Sequence, residues 1–527
     1  LALVFLLVPS TAMGLTLPLL ARALVALDPN FGTVLGRLYG WNTLGAVAGA
    51  LLAETHLVAA LGIRGSAYAA GSLNLIAAAG GWVAARSLAA GEGAATPERA
   101  PAPRWRGAGT WLGAAFLSGF ALLALEVVWF RFLLLFVMGS SLSFAVMLAV
   151  VLSGIASGGL VASVWLRADP AGYRYAPLLA LAAGLLCTAS YAAFPAAAVP
   201  LEGVVVSGFR AVLGVSLPLM FPVSLLSGTF FTLAGAALHR GYPSAATATG
   251  VLTFANTTGA ALGALAGGFL LLPLLGMEGS FFALTLLYGG IGLLVSRGVR
   301  LPRRLIWPVT GAFLLGAALF PFGAMVGRHL RTAAARWSGG EWRVVALREG
   351  VSETVLYVEE LTHGKPRDLR LVTNSLSMSS TEFHIRRYMK LYVYLPVAIH
   401  PEPRRALLVS YGVGSTAKAL TETRSLEEID VVDISKDVLG TSSVVFPDPD
   451  ENPLHDARVT VHVEDGRYFM RTTEKTFDLI TGEPPPPQIA NVVNLYTREY
   501  FALMRDRLRE GGFVTYWLPL HSLSDRS

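Results

Sequence analysis

Charge is scarce in this chain: 14% of its 527 residues are Asp, Glu, Lys or Arg, where a soluble globular chain carries about 25%. A single water-soluble domain is thereby excluded, and so is a disordered chain, which needs low hydrophobicity. Cysteine is nearly absent. Cys187 stands alone, which rules out a disulfide framework or a cysteine-based zinc site. The histidines form no group with metal-ligand spacing; His384, His400, His455 and His462 are scattered and read as surface or structural residues. Lysine is missing from the whole of residues 1–326.

What fills the chain is apolar. Hydrophobic residues make up 54%, there are 55 glycines, and the mean hydropathy is +0.56. The length suggests three or four domains, and the average hides two halves. Residues 1–326 hold 8 acidic residues and 16 arginines; residues 327–527 hold 27 acidic and 25 basic ones. The net charge of +6 and the pI near 9.4 therefore come from the apolar half. A basic total raises the question of nucleic acid, but these arginines flank apolar runs, where membrane topology accounts for them better. A bilayer-crossing helix needs roughly 20 mostly apolar residues. Ten windows qualify: 1–24, 35–60, 64–86, 109–137, 142–167, 174–194, 212–239, 245–273, 276–297 and 304–326. Residues 87–107 read as a Pro/Gly/Ala linker. Thirteen arginines edge the odd-numbered connections and two, Arg64 and Arg210, the even ones. The positive-inside rule places the odd connections in the cytoplasm. With ten spans the following domain falls outside, and with nine it falls inside; window 304–326 decides.

The apolar half repeats itself at an offset of 214 residues. Leu-Tyr-Gly-Trp-Asn-Thr-Leu-Gly-Ala (38–46) matches Leu-Thr-Phe-Ala-Asn-Thr-Thr-Gly-Ala (252–260), and Leu-Gly-Ile-Arg-Gly-Ser (61–66) matches Leu-Gly-Met-Glu-Gly-Ser (275–280). Gly45/Gly49 and Gly259/Gly263 are GxxxG pairs, which let helices approach closely in lipid; the repeated Asn-Thr either packs with them or lines a substrate path. The second copy has about 110 residues before Pro222, the first only eight before Pro9, so about three N-terminal helices are expected to be missing. Two such arrays fit a transporter-like plan. Glu126 and Arg131 interrupt an apolar run. Either they are intramembrane functional groups, or they lie at headgroup level or neutralise each other.

From about Glu341 the texture becomes that of a water-soluble domain. Residues 342–373 read as a β-meander, followed by an amphipathic helix over 381–395. Strands then alternate with helices, which means a parallel sheet: Ala406–Ser410, Ile429–Val432, Val459–Val463, Phe477–Thr481 and Gly512–Trp517. Ligands of such sheets sit at the carboxyl ends of the strands. Gly412 and Gly414 form a turn after the first strand. Asp433 follows Gly412 by 21 residues, a spacing that suits a carboxylate on a ribose hydroxyl. Asp465 and Gly466 end the third strand, a position from which the acid would reach an adenine amine. Together these point to an adenosine-type ligand, the alternative being a sheet whose turns merely resemble such a site. No Gly-Lys-Ser/Thr follows the glycines, so this is no phosphate-binding P-loop. Ser415 has no Ser-His-Asp partners. Pro484–Pro487 is a stiff segment, either a loop without a function of its own or, at the mouth of the site, a support that would hold Glu483 toward a substrate.

The chain resembles the bacterial fused major-facilitator/spermidine synthase family. The resemblance rests on Gly-Arg-Leu-Tyr-Gly-Trp-Asn-Thr-Leu-Gly-Ala (36–46), Leu-Glu-Val-Val-Trp-Phe-Arg (125–131), Arg-Arg-Tyr-Met-Lys-Leu (386–391), Leu-Pro-Val-Ala-Ile-His-Pro (395–401) and Glu-Pro-Pro-Pro-Pro with Val-Asn-Leu-Tyr-Thr-Arg-Glu-Tyr-Phe (483–501). It implies a polytopic α-helical membrane region of two repeated bundles, then an α/β methyltransferase-like (Rossmann-like) domain with a small N-terminal β-meander. It implies aminopropyl transfer from decarboxylated S-adenosylmethionine to a diamine, leaving methylthioadenosine. On the matching positions, Gly412, Gly414, Asp433, Asp465 and Gly466 would hold the donor, Tyr388 the acceptor, and Glu483 would be the general base. This chain departs from the soluble synthases at three points. Val413 replaces an acid of the glycine turn, Tyr388-Met389-Lys390 replaces Tyr-His-Glu, and Pro486 replaces an Asp. Lys390 is expected to repel a dication. A seven-stranded sheet would need two further strands, so the C-terminus is expected to be cut as well.

The expected organisation is a partial first bundle (1–86), linker (87–107), second bundle (108–298), extra membrane helix and connector (299–340), β-meander (341–380) and synthase-like domain (381–527). The expected partners are the lipid bilayer, a nucleoside donor and a polyamine, with no metal and no nucleic acid. Two other readings of the α/β domain stay open: a degenerate nucleoside- or polyamine-binding domain coupled to transport, and an S-adenosylmethionine-dependent methyltransferase. The family resemblance places the domain in the cytoplasm, where a ten-span arginine count places it outside.

Overall fold

The computed structural model describes residues 2–89, 107–198, 205–242, 244–338 and 340–519. The expected linker 87–107 lies almost wholly outside the described residues. The chain divides into two compact units. One takes in 1–130, 142–197 and 208–322; the other takes in 131–141, 198–207 and 323–527.

The first unit is helical: α1 (Ala2–Val25), α2 (Phe31–Leu52), α3 (Val58–Ala89), α4 (Ala108–Leu133), α5 (Ser141–Ala168), α6 (Ala176–Ala198), α7 (Phe209–His239), α8 (Ala245–Ala266), α9 (Leu272–Ser296) and α10 (Arg303–Ala318). Among the described residues, seven helical stretches are long and apolar enough to cross a membrane by length and composition, and two of them, Phe31–Val83 and Ala245–Ser296, run to 53 and 52 residues. Window 304–326 is not among these. Its helix α10 has 16 residues, about 24 Å at 1.5 Å per residue, short of the roughly 30 Å of a hydrocarbon core.

The repeat seen in sequence is present in the backbone. Helices α2 and α8 have 22 residues each and are followed by π-helical turns at Ala53–Leu57 and Gly267–Leu271. Beyond each turn the helix breaks at a left-handed glycine, Gly62 (φ 65°) and Gly276 (φ 66°). Even the N-caps correspond: Asn30 accepts from the Thr33 amide, and Ser244 from that of Thr247. Each pair is offset by 214. Only glycine takes positive φ without strain, which is why Leu-Gly-Ile/Met recurs at both breaks.

The second unit opens with α11 (Leu330–Ala335) and an antiparallel sheet of β1 (Glu341–Glu349), β2 (Thr354–Thr362), β3 (Lys365–Thr373) and β4 (Leu376–Ser380) in sequential order. Sequence periodicity anticipates the first three; β4, Leu-Ser-Met-Ser-Ser, carries too little apolar signal to be seen. Helix α12 (Phe383–Ile399) runs four residues beyond its expected end, with Pro396 inside its last turn. Then follow β5 (Arg405–Val409), α13 (Ser415–Glu422), β6 (Glu428–Asp433), α14 (Lys436–Gly440), α15 (Ser442–Val445), β7 (Val459–Val463), α16 (Gly466–Thr472), β8 (Phe477–Gly482), α17 (Arg498–Asp506) and β9 (Leu508–Tyr516). The five strands β5–β9 are parallel, in the order β7-β6-β5-β8-β9. Both faces are covered. Ala406 and Leu408 point into one core with Met389, Val393 and Leu420, while Leu407 and Val409 point into another with Phe469, Tyr500 and Met504. This two-sided burial is why the strands read as continuous apolar runs. The order also reverses at β5, so the crevice between the carboxyl ends of β5 and β8 is the topological switch point, where such sheets bind ligands.

Candidate functional site

The turn after β5 is built on three left-handed residues: Ser410 (φ 80°), Gly412 (φ 58°) and Gly414 (φ 81°). The two glycines are also packed closely. A Cβ on Gly412 would lie 2.6 Å from Ser379 Oγ, and one on Gly414 would lie 2.4 Å from Tyr411 Oη. Strand β4 takes part here, because Ser379 Oγ accepts from the Val413 amide at 2.9 Å. The Tyr411 hydroxyl pairs with Ser442 Oγ at 2.6 Å, and Ser442 donates to Asn452 Oδ1 at 2.9 Å. Val413 is buried in the core.

Asp433 ends β6 and braces this turn. Its Oδ2 accepts from the Tyr411 amide at 2.7 Å and its Oδ1 from the Ser435 amide at 2.8 Å. Burial holds its carboxyl above the ordinary range, against the pull of these two bonds. Glu353, in the β1–β2 turn, is raised likewise by burial and bonds Ser435. Asp465 is the N-cap of α16, accepting from the Tyr468 amide at 2.8 Å. Gly466 follows it, and a Cβ there would lie 2.6 Å from Val409. The glycine turn, Asp433 and Asp465–Gly466 thus all lie at the carboxyl ends of adjacent parallel strands.

Glu483 follows β8 on the other side of the switch point. Its Oε1 accepts from Thr416 Oγ1 at 2.5 Å, while Oε2 is buried with no hydrogen-bond partner among the described residues. Burial pushes this carboxyl up to about 7, and the Thr416 bond pulls the other way. Tyr388 and Tyr392, one turn apart on α12 and half-buried, have hydroxyl pKa values raised by burial and then by the charge of Glu483. A carboxylate near neutrality with one free oxygen and tyrosines beside it is equipped to take a proton from an incoming amine.

Lys390 does not face this group. Two residues along a helix from Tyr388, it lies on the far side of α12 and pairs with Glu422 at 2.8 Å. Its expected repulsion of a cation at Glu483 is corrected accordingly.

Glu126 and Arg131 are not brought together. Five residues along a helix place them about 140° apart. Arg131 instead belongs to the second unit, where it donates to the carbonyls of Gly350 and Val351 in the β1–β2 turn. Mutual neutralisation is therefore not what this pair does. Among the described residues there is no group of acids, histidines or cysteines arranged to hold a metal ion.

Thr416, Ser379, Ser442 and Glu353 escaped sequence reasoning. Each acts through a partner 30 or more residues away, and a lone hydroxyl or surface-type acid carries no spacing signal.

The parallel sheet, with its helices on both faces and its polar residues at the strand ends, defines a Rossmann-like α/β domain. Residues 386–517 match the family model of the spermine/spermidine synthase domain. The polyamine aminopropyltransferase of Streptococcus pneumoniae serotype 4 is 31% identical over 129 residues, 24% of this chain and 44% of that one. The spermidine synthase of Schizosaccharomyces pombe is 28% identical over 181 residues, 33% of this chain and 57% of that one. A crystal structure of spermidine synthase in complex with the transition state analogue AdoDATO is 18% identical, with a TM-score of 0.30, over 33% of this chain and 57% of that one. The chain spans about half the length of the curated relatives it matches.

Proposed function

We propose that this chain is an integral membrane protein whose α/β domain transfers an aminopropyl group from decarboxylated S-adenosylmethionine to an amine, with Glu483 as general base. The observation that carries the reading is the meeting of Thr416 and Glu483 at the switch point, beside a glycine turn, inside a region that matches a synthase domain. The glycine turn and Asp465 suit the adenosine end of the donor. Asp433 keeps lone pairs beyond its two backbone bonds for a ribose hydroxyl. The amine nitrogen attacks the propyl carbon next to the sulfonium. The carbon–sulfur bond breaks with its electrons passing to sulfur, methylthioadenosine leaves, and the amine proton goes to Glu483. Purified protein, the decarboxylated donor and putrescine test this by release of methylthioadenosine. The expected outcome is product with wild type and a loss of about 100-fold or more with Glu483→Gln, the scale of a lost general base. No product, with the two proteins indistinguishable, sinks the reading.

A second reading, binding without turnover, is favoured by Val413. That position is buried in the core where the soluble synthases carry an acid. Calorimetry showing donor binding but no methylthioadenosine would select it. The synthase reading also requires the domain to face the compartment where the donor is made. Accessibility labelling of Lys418→Cys in sealed cells reads the side, and labelling from outside would sink the synthase reading.

A further inference from the structure

Residues 131–141 join α4 to α5, yet they belong to the second unit, as do 198–207. Phe132, Leu133, Leu135, Phe136 and Val137 are all but completely buried. The Met138 amide donates to the Val206 carbonyl at 2.9 Å, and the Val206 amide donates to the Phe136 carbonyl at 3.0 Å. The Arg336 guanidinium donates to the Leu135 carbonyl at 2.6 Å. Burial and these bonds fix the backbone of the connection, and with it what its ends can touch.

The two ends reach both sides of the candidate site. At one, the Gly139 carbonyl accepts from the Ala490 amide at 2.8 Å, in the loop that follows Glu483. At the other, the Arg131 guanidinium donates to the carbonyls of Gly350, at 3.0 Å, and Val351. Those carbonyls belong to a tight turn, closed by the Gly350 amide donating to the Glu353 carbonyl at 3.0 Å. From this turn the path to the site is short. The Glu353 carboxyl bonds Ser435, and the Ser435 amide donates to Asp433 Oδ1 at 2.8 Å. Asp433 in turn accepts from the Tyr411 amide of the glycine turn.

Arg131 makes the strongest of these ties. It is 9% exposed, and its charge acts on Glu353, Glu349 and Asp437. Hydrogen bonds from an ionised donor are about twice as strong as neutral ones. A Cβ on Gly350 would run into the Asp437 carboxylate, so the turn is also pressed against the start of α14. Neither Arg131 nor this turn lies within the matched residues 386–517.

We propose, on the reading of Asp433 as the ribose ligand, that Arg131 is a positioning residue of the donor site. Through the Gly350–Glu353 turn and Ser435 it holds Asp433 in register with the ribose of the bound nucleoside. The α4–α5 connection thereby completes a site whose other parts lie in the α/β domain.

The full chain in lipid nanodiscs is tested with methylthioadenosine as the probe, so that binding is read without turnover. Arg131→Met keeps an apolar stem and loses both bonds. It is expected to weaken methylthioadenosine about tenfold by calorimetry, a factor worth 1.4 kcal/mol, and to raise KM for the decarboxylated donor alike. The rate at saturating donor is expected to stay within about twofold, since binding shared by ground and transition state moves KM and not kcat. Arg458→Met controls for structural damage. Arg458 donates to the carbonyls of Thr421, Thr423 and Leu426, beside the amino ends of β6 and β7. Its loss is expected to lower the unfolding midpoint and leave methylthioadenosine affinity unchanged. Should Arg131→Met not fold, Arg131→Lys decides on the same readouts; it keeps the charge with one nitrogen for two carbonyls, and a loss of about threefold is expected. Wild-type affinity in the Arg131 variants, an equal loss in Arg458→Met, or a fall in kcat at unchanged KM would each overturn the proposal alone. A wild-type chain that binds no methylthioadenosine would overturn the nucleoside reading itself, and the proposal with it.

Discussion

The hydroxyl of Thr416 donates to Glu483 Oε1 at 2.5 Å, joining the first turn of α13 to the end of β8 across 67 residues. It fixes one oxygen of a carboxylate whose other oxygen has no partner among the described residues. A hydrogen bond to a charged group contributes about 1.5–3 kcal/mol, and here it favours the ionised form.

Removing that bond should leave Glu483 in place but harder to ionise. Thr416→Val is isosteric and is expected to lower the rate of methylthioadenosine release at neutral pH by about tenfold, one unit of pKa, with the pH profile displaced upward. Thr416→Ser should restore both. A Thr416→Val profile superimposed on the wild-type one would show that the hydroxyl does not act on Glu483.

The elevated Glu483 carboxyl ties activity and stability to pH in opposite senses. As the proposed general base it must be ionised, so the rate should climb through pH 7. Its folded-state value of about 7 stands above the ordinary 4.5, so the native state binds more protons between those values. The group's contribution to stability is full below pH 4.5 and is lost as pH rises through 7. The loss amounts to roughly 3 kcal/mol at most. Glu483→Gln should flatten this part of the stability profile, as followed by hydrogen exchange in β5 and β8.

Ser410 holds φ at 80°, a region that costs a side chain about 1–2 kcal/mol. Ser410→Gly is therefore expected to stabilise the α/β domain by about 1 kcal/mol. Gly414→Ala should do the reverse by more, since its Cβ would meet Tyr411 Oη at 2.4 Å as well as the positive φ. Denaturant midpoints of the three proteins check the order.

Asp430 is fully buried, held by Lys475 at 2.9 Å and His462 at 2.7 Å. Breaking a buried pair by removing one partner costs about 3–5 kcal/mol. Lys475 is partly exposed and His462 remains, so Lys475→Met should fall at the lower end, about 3 kcal/mol. An unchanged unfolding midpoint would mean that His462 alone satisfies the acid.

Much of the architecture was legible in the chain because it is written in local periodicity. The apolar windows, the 214-residue repeat, the change of texture near Glu341 and the strand–helix alternation all depend on neighbours a few residues apart. So did Gly412, Gly414, Asp433, Asp465 and Glu483, which end strands recognisable by their Val/Ile/Leu runs. Boundaries slipped where local signal is weak. Strand β9 starts at Leu508 rather than Gly512, across a left-handed Gly511, and β4 was invisible.

Composition and pattern by themselves determined that the chain is apolar helices followed by a parallel α/β domain, since burial and hydrogen-bond periodicity are local properties. The tertiary structure decided what those residues touch. It sent Arg131 to the β1–β2 turn instead of Glu126, turned Lys390 away toward Glu422, gave Glu483 its hydroxyl partner, and packed Gly259 and Gly263 against α4 while Gly45 and Gly49 meet nothing among the described residues. Desolvation and contact across tens to hundreds of residues set these outcomes, and neither leaves a mark on the spacing of the sequence.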